Sequence, residues 1–489
     1  MGYQDPVTRQ IGEITQRVKR IKSFVEELEA TCADAGPRRF AQDTMKMCDI
    51  IQSSIEKDWD SLEDPSDEQW LFETCSGYQK AVRDLHTLAF SHLESPHPVF
   101  YPWDLIYPIE SEIRSWCPSF SLSIIPYAES TYLIDARCDL IDSVYTMMAK
   151  PPPPPPEARA NEPKTSEQSK VPTHWHVFLY FPKAETNSVL LATIMVSHEA
   201  LHLKDHLKSI SKTLYDIAEV SIDSPKVDQV VSEILKRPIA PSTELKQPTT
   251  AGVIGDVFNE PKIRSDVYAQ TNDVIHQWLH EIIADLLAVR LFGPAYFLAF
   301  ATHSLSLGVM DQWSDRYPSS RMRMALMLRE LEAMAYWPSV SGLGRVQDEL
   351  QFWSQRVTDQ ASPRDTILKM ACDSIMQAAE TIRTQVREAT GSSAYCAEQF
   401  IAEALPLSER IKQGFPPTEV GFPSKDKPAK RATIQGILNA GWLAYLQDLD
   451  ALAVLMQVKL EDEEPRVVEK LNALLNKSLE ILTYSNLEQ

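Results

Sequence analysis

The sequence predicts a mainly α fold with a small β element. Apolar residues recur at helical spacing through most of the 489 residues. Glycine occurs only 15 times, too few for a chain built on tight β-turns. Only two short segments, Phe120–Ile125 and His176–Phe181, read as strands.

The elements follow in order. Residues 5–33, 38–60 and 66–93 carry helix-period apolar patterns separated by Asp, Pro and Gly. They predict an N-terminal helical region over 1–100. The stretch 94–135 is rich in Pro, Trp and Tyr and holds the first strand. Six prolines at 151–156, then a polar run to Lys170, mark a low-complexity insertion over 150–172. It reads as a tolerated loop in preference to a docking peptide for an aromatic groove. The second strand precedes a helix from about Ser188 to Leu207. Residues 208–245 look helical with breaks, and 248–261 reads as a loop. Helices resume at 265–292, 295–310 and 319–336. From 343 to 489 the chain shows amphipathic helices without a chemical motif, a C-terminal helical region. The stretch 101–342 between the flanks is the expected core domain.

Composition narrows the function classes. Hydrophobic residues make up 44% of the chain, enough for a sizeable core. The net charge is −20, which argues against nucleic acid and anionic membrane surfaces as partners. Seven scattered cysteines without a C-x-x-C pair fit a reducing compartment. The start MGYQDP has neither a basic nor an apolar leader region, and Pro6 stands where myristoylation needs Ser or Thr. Leu291–Met310 holds no Lys, Arg, Asp or Glu, but it contains Gly293, Pro294 and several hydroxyl residues. A buried core helix is expected there instead of a membrane span. A soluble, cytoplasmic protein follows as the expectation.

One motif carries chemistry. His198-Glu199-Ala200-Leu201-His202 reads H-E-x-x-H behind an apolar lead-in from Val189 to Val196. Histidines at i and i+4 lie one turn apart on one helix face, so both imidazoles can reach one Zn²⁺. Glu199 between them can reach a metal-bound water without being a ligand. A chance match in a chain this long occurs on the order of a few per cent, so the motif needs corroboration.

Corroboration lies downstream in Trp278-Leu279-His280-Glu281-Ile282-Ile283-Ala284-Asp285. Glu281 and Asp285 share an otherwise apolar helix face and need a compensating partner. Glu281 as third ligand completes a His₂Glu set, a catalytic zinc arrangement with a fourth position open. Asp285 can accept the free N–H of a ligating histidine. The competing reading is an ordinary buried salt bridge, for instance with Arg290.

This arrangement resembles the HtpX and CAAX-prenyl-protease type of zinc endopeptidase, gluzincins whose third ligand is a glutamate. The family pattern continues with His-Pro and an arginine five residues after the proline. Here Tyr317-Pro318-Ser319-Ser320-Arg321-Met322-Arg323 stands in that place, with Tyr317 for the histidine and Arg323 for the arginine. The resemblance covers about 190–335. It implies a zincin-like metallopeptidase core within 101–342. Family members are usually membrane-embedded, and this chain lacks clear spans.

The expected chemistry is peptide-bond hydrolysis. Zn²⁺ would lower the pKa of its bound water, Glu199 would act as general base, and Tyr317 with Arg323 would stabilise the oxyanion. The partner would be a protein or peptide, bound by strand addition along His176–Tyr180 or Phe120–Ile125. His206 lacks the glycine turn of the metzincin third ligand. His174 and His176 read as a surface pair, His276, His280 and His303 as structural or supporting residues, and Arg321 as a solvated neighbour of Arg323. The alternative function is a helical regulatory or interaction protein with a structural or inactive metal site. A zinc hydrolase acting on a non-peptide amide would use the same residues.

Overall fold

The computed structural model describes residues 6–31, 35–60, 77–86, 89, 120–127, 133–138, 148, 175–182, 188–208, 210–214, 222, 224–236, 251–337, 343–357, 363–420 and 430–487. These residues are mainly helical, with two small sheets. The Pro-rich insertion lies outside them. The chain divides into two compact units, Met1–Ile106 with Glu110–Thr186, and Asn187–Gln489 with Tyr107–Ile109. That division falls inside the stretch the sequence assigns to one core. The C-terminal helices, expected as a flank, belong to the second unit.

In the first unit, α1 (Pro6–Thr31) packs on α2 (Ala35–Asp60). Ile14, Val18, Ile21 and Val25 recur at i, i+4, i+7 and i+11 and are buried with Phe40, Met47 and Ile51 of α2. A three-stranded sheet belongs to the same unit. Its strands are β1 (Phe120–Tyr127), β2 (Leu133–Cys138) and β3 (Trp175–Pro182). The order is β1-β3-β2, with β1 parallel and β2 antiparallel to β3. The sequence reading missed β2. It also offered His176–Tyr180 as a peptide-binding edge. That segment is the middle strand, its hydrogen bonds already used on both sides, so the expectation is corrected. The motif helix lies in the other unit.

The second unit is built around one long helix. In chain order its helices are α3 (Val189–Lys208), α4 (Ser224–Lys236), α5 (Ala251–Phe292), α6 (Pro294–Leu307) and α7 (Ser320–Ala333). They continue with α8 (Arg345–Val357), α9 (Thr366–Thr390), α10 (Ala397–Lys412), α11 (Ile434–Gln447), α12 (Leu449–Leu455) and α13 (Leu460–Leu487). A two-stranded hairpin, β4 (Glu419–Val420) and β5 (Lys430–Arg431), precedes α11. Helices α3, α4, α6, α7, α9 and α11 all pack against α5. Its C-terminal part, from Ile282 to Phe292, is buried on every side. The sequence reading began this helix at 265 and made 248–261 a loop. The helix instead runs through Pro261 to Ala251. A proline deletes one ladder hydrogen bond and bends a helix without forbidding it.

Three local features aim the elements at one another. Asn472 of α13 accepts from Val189 N at 3.0 Å, capping the start of α3. Gly293 breaks the chain between α5 and α6 at φ 62°, and a Cβ there would meet the Tyr336 hydroxyl at 2.7 Å. Asn439 of α11 bridges that break, donating to Phe292 O at 2.7 Å and accepting from Ala295 N at 3.1 Å. Leu291–Met310 is therefore two helices joined at a turn, and no described helix is long and apolar enough to cross a membrane.

Candidate metal centre

The motif helix α3 supplies two imidazoles one turn apart, with ring centroids 4.9 Å apart. Helix α5 brings a carboxylate to both. Glu281 Oε2 lies 3.6 Å from His198 Nε2, and Oε1 lies 3.6 Å from His202 Nε2. Donor atoms of the three residues all fall within 4.8 Å of one another, the only such group among the described residues. Ligands at ~2.0–2.1 Å from a tetrahedral ion stand about 3.4 Å apart, so this spacing fits one divalent ion. His198, His202 and Glu281 could thus hold a metal.

The other nitrogen of His198 is engaged. Nδ1 lies 3.1 Å from Asp285 Oδ1 and 2.9 Å from the Tyr296 hydroxyl. Tyr296 donates its own proton to Asp285 at 2.6 Å. Both neighbours of Nδ1 are then acceptors, so Nδ1 carries the proton and Nε2 is left toward Glu281. Arg323, from α7, donates to Asp285 through Nε at 2.5 Å and Nη2 at 2.8 Å. The same Nη2 is 3.2 Å from Glu281 Oε2 and 3.4 Å from His198 Nε2. Its guanidinium lies over the Phe300 ring, 4.7 Å from the centroid. Arg290 is committed elsewhere, to Glu330 at 2.6 Å, so it is not the partner of the two acids.

No protein-family model, curated protein or solved structure matches this chain. The likeness to HtpX-type gluzincins rests on the three motifs alone.

Burial and charge set the protonation of the centre. Burial pushes the Glu199 carboxyl up to about 7, with Glu281 and Asp285 adding to the rise and His198 and Arg323 opposing it. Burial brings His202 down to about 4. In His198 burial works the same way, but the charge and hydrogen bond of Asp285 outweigh it and raise the imidazole to about 9. Burial would raise Glu281 and Asp285, yet Arg323 and His198 hold both well below the usual carboxylate range, with His202 adding to the effect on Glu281.

Of the residues the sequence singled out, His198, Glu199, His202, Glu281, Asp285 and Arg323 come together here. Tyr317 stands apart from the hydrogen-bonded cluster. It is 54% exposed on the loop before α7, and its hydroxyl has no hydrogen-bond partner among the described residues. Burial, Glu281 and Glu199 all raise its pKa, so it lies within their field. The loop is held by Trp278 of α5, whose indole donates to Ser314 O at 3.0 Å, and by Ser314 Oγ accepting from Tyr317 N at 2.9 Å. His276 and His280 form their own pair, 4.7 Å between centroids, with His280 Nδ1 2.7 Å from Asp205. Arg321 pairs with Asp311 at 2.6 Å. The side chains of His206 and His176, and all of His174, lie outside the described residues. Sequence reasoning missed Tyr296. Its one signal was a lone tyrosine in an uncharged helix just past a Gly-Pro break.

Proposed function

We propose that the protein is a zinc-dependent endopeptidase acting on a protein or peptide substrate. The observation that carries this reading is the convergence of His198 Nε2, His202 Nε2 and Glu281 within ligand spacing, with Glu199 in the turn between the two imidazoles. Two imidazoles and one carboxylate are a catalytic zinc donor set that leaves a fourth position open. Zinc bound there supplies Lewis acidity and a water of lowered pKa. Glu199, in the turn between the two imidazoles, would accept a proton from a water activated there and return it to the leaving amine. Asp285 and Tyr296 hold the His198 Nδ1 proton, so Nε2 is the nitrogen that would give up its proton to a metal. Arg323 keeps Asp285 ionised, a supporting task in place of the oxyanion role first assigned to it. Tyr317, with its uncommitted hydroxyl, donates to the developing oxyanion.

A cytoplasmic location is proposed with this activity, supported by Cys48, Cys372 and Cys396 being free thiols. Subcellular fractionation checks it.

One observation favours a second reading, a metal-free or structural site in an interaction protein. Arg323 Nη2 already faces Glu281 and His198 Nε2 as a resident cation. Elemental analysis separates the two. The endopeptidase reading expects about one zinc per wild-type chain, lost in His202→Ala and Glu281→Ala. Glu199→Gln should keep the zinc and lose hydrolysis of a peptide library by at least about a hundredfold. A wild type that takes up no zinc, or a Glu199→Gln variant that still hydrolyses at the wild-type rate, refutes the proposal.

A further inference from the structure

A groove of about 870 Å³ runs through the second unit beside the candidate metal centre. Asp273, Val274 and Glu281 contribute to its floor from one face of α5. Asp315, Arg316 and Tyr317 of the loop before α7 form one wall. The start of α9, with Asp365, Ile367 and Leu368, forms the other. Apart from Glu281, three aspartates therefore face a single arginine and His276, an imidazole whose pKa burial lowers despite the nearby Asp273.

Those aspartates are not equivalent. Asp365 caps α9, accepting from Ile367 N at 2.9 Å and Leu368 N at 3.1 Å. Asp273 and Asp315 are exposed and make no ion pair among the described residues. Surface acids elsewhere in this unit do find cations, as Asp311 does in Arg321 and Glu409 in Lys412. The pair has no ligand geometry for a second metal, since the triad is the only such group among the described residues. Half-buried Ile367 and Leu368 and the largely buried Val274 line the same groove and give it apolar surface that suits a methylene stem.

We infer that this groove binds an extended substrate segment through a lysine or arginine side chain, selected by Asp273 and Asp315. The stem lies on Val274, Ile367 and Leu368, and the cationic head meets the aspartates. The inference rests on the endopeptidase reading for where the scissile bond lies. Asp273 is eight positions from Glu281 on α5, about 12 Å at ~1.5 Å per residue. An extended peptide covers that length in about three to four residues at ~3.3 Å each. The selected side chain therefore sits within about four residues of the scissile bond. An acidic side chain at that place meets like charge, and a neutral one leaves the aspartates unmatched.

The test uses full-length, zinc-loaded Glu199→Gln, which binds without cleaving. Three fluorescent decapeptides of one alanine-rich sequence carry lysine, glutamine or glutamate at one central position, and affinity is read by anisotropy. Lysine is expected to bind roughly five- to tenfold tighter than glutamine, with the preference shrinking as salt rises. Asp273→Asn with Asp315→Asn should abolish the preference, and Asp273→Lys should reverse it in favour of glutamate. Equal binding of lysine and glutamine peptides, or a preference that survives both variants, overturns the inference. Cleavage by wild type, followed by mass spectrometry on the same peptides, is read separately. Lysine-selective binding without cleavage upholds the groove and sinks the endopeptidase reading. Cleavage indifferent to charge does the opposite.

Discussion

Asp285 is 1% exposed, receives two bonds from Arg323 and one from Tyr296, and lies beside His198 Nδ1. Asp285→Asn would leave the buried guanidinium with Glu281 alone. Removing one partner of a buried pair costs about 3–5 kcal/mol, and the isosteric amide should sit at the low end of that range. Zinc affinity should fall by roughly 10–100-fold, as for other carboxylates that orient a ligating imidazole. Tyr296→Phe removes a single hydrogen bond and should cost about 1 kcal/mol, with a smaller loss of zinc affinity. Urea titration and competition with a chromophoric chelator read both quantities. Unchanged zinc affinity in Asp285→Asn would remove its orienting role. The sequence exposed Glu281 and Asp285 because i, i+4 spacing marks a shared face. It hid Tyr296, which shares no spacing rule with either α3 or α5. Arg323 was visible as a motif position, but its partner was not. A buried carboxylate draws the nearest guanidinium, and only the fold decides which one that is.

At the level of elements, the turn at Gly293 aims α6, and with it Tyr296, into the centre. Alanine at this φ of 62° is strained, and its Cβ would lie 2.7 Å from the Tyr336 hydroxyl. Gly293→Ala is expected to cost about 2–3 kcal/mol and to weaken zinc binding through Tyr296. A variant as stable as wild type in urea would show that the turn tolerates a side chain. The helix carrying His198 and His202 was legible almost to its ends, because an apolar run and a ligand pair share one period. The first turns of α5 were not, since Gly252, Gly255 and Pro261 read locally as breakers while propensity is only a weak prior. Asn439 could not be read at all. It holds the α5–α6 break from 147 residues beyond Phe292.

For the whole molecule, a mainly α fold followed from composition and periodicity, whereas the division into units did not. The motif helix follows β3 closely in sequence, and the gluzincin resemblance implied one core over 101–342. The cap on α3 comes instead from Asn472, and α9 and α11 close around α5. The centre thus belongs wholly to the second unit. Zinc at a hundred times its Kd stabilises the state that binds it by about 2.7 kcal/mol. Zinc should therefore slow hydrogen exchange in α3, α5, α6 and α7, and leave α1 and α2 unchanged. Equal slowing in both units, or none, would contradict a centre confined to one of them.

Helix α5 carries Glu281 and Asp273 on one rod, eight positions apart, and that rod has its own period. Residues on one helix face recur about every 5.4 Å, whereas an extended peptide returns a side chain to the same side about every 6.6 Å. The two scales slip past each other like a vernier, so they coincide at one place and drift apart on either side. A lysine moved stepwise along a peptide should give a single peak of affinity to Glu199→Gln, and a second lysine two positions away should add less than the first. A flat profile would mean that the groove senses charge without register.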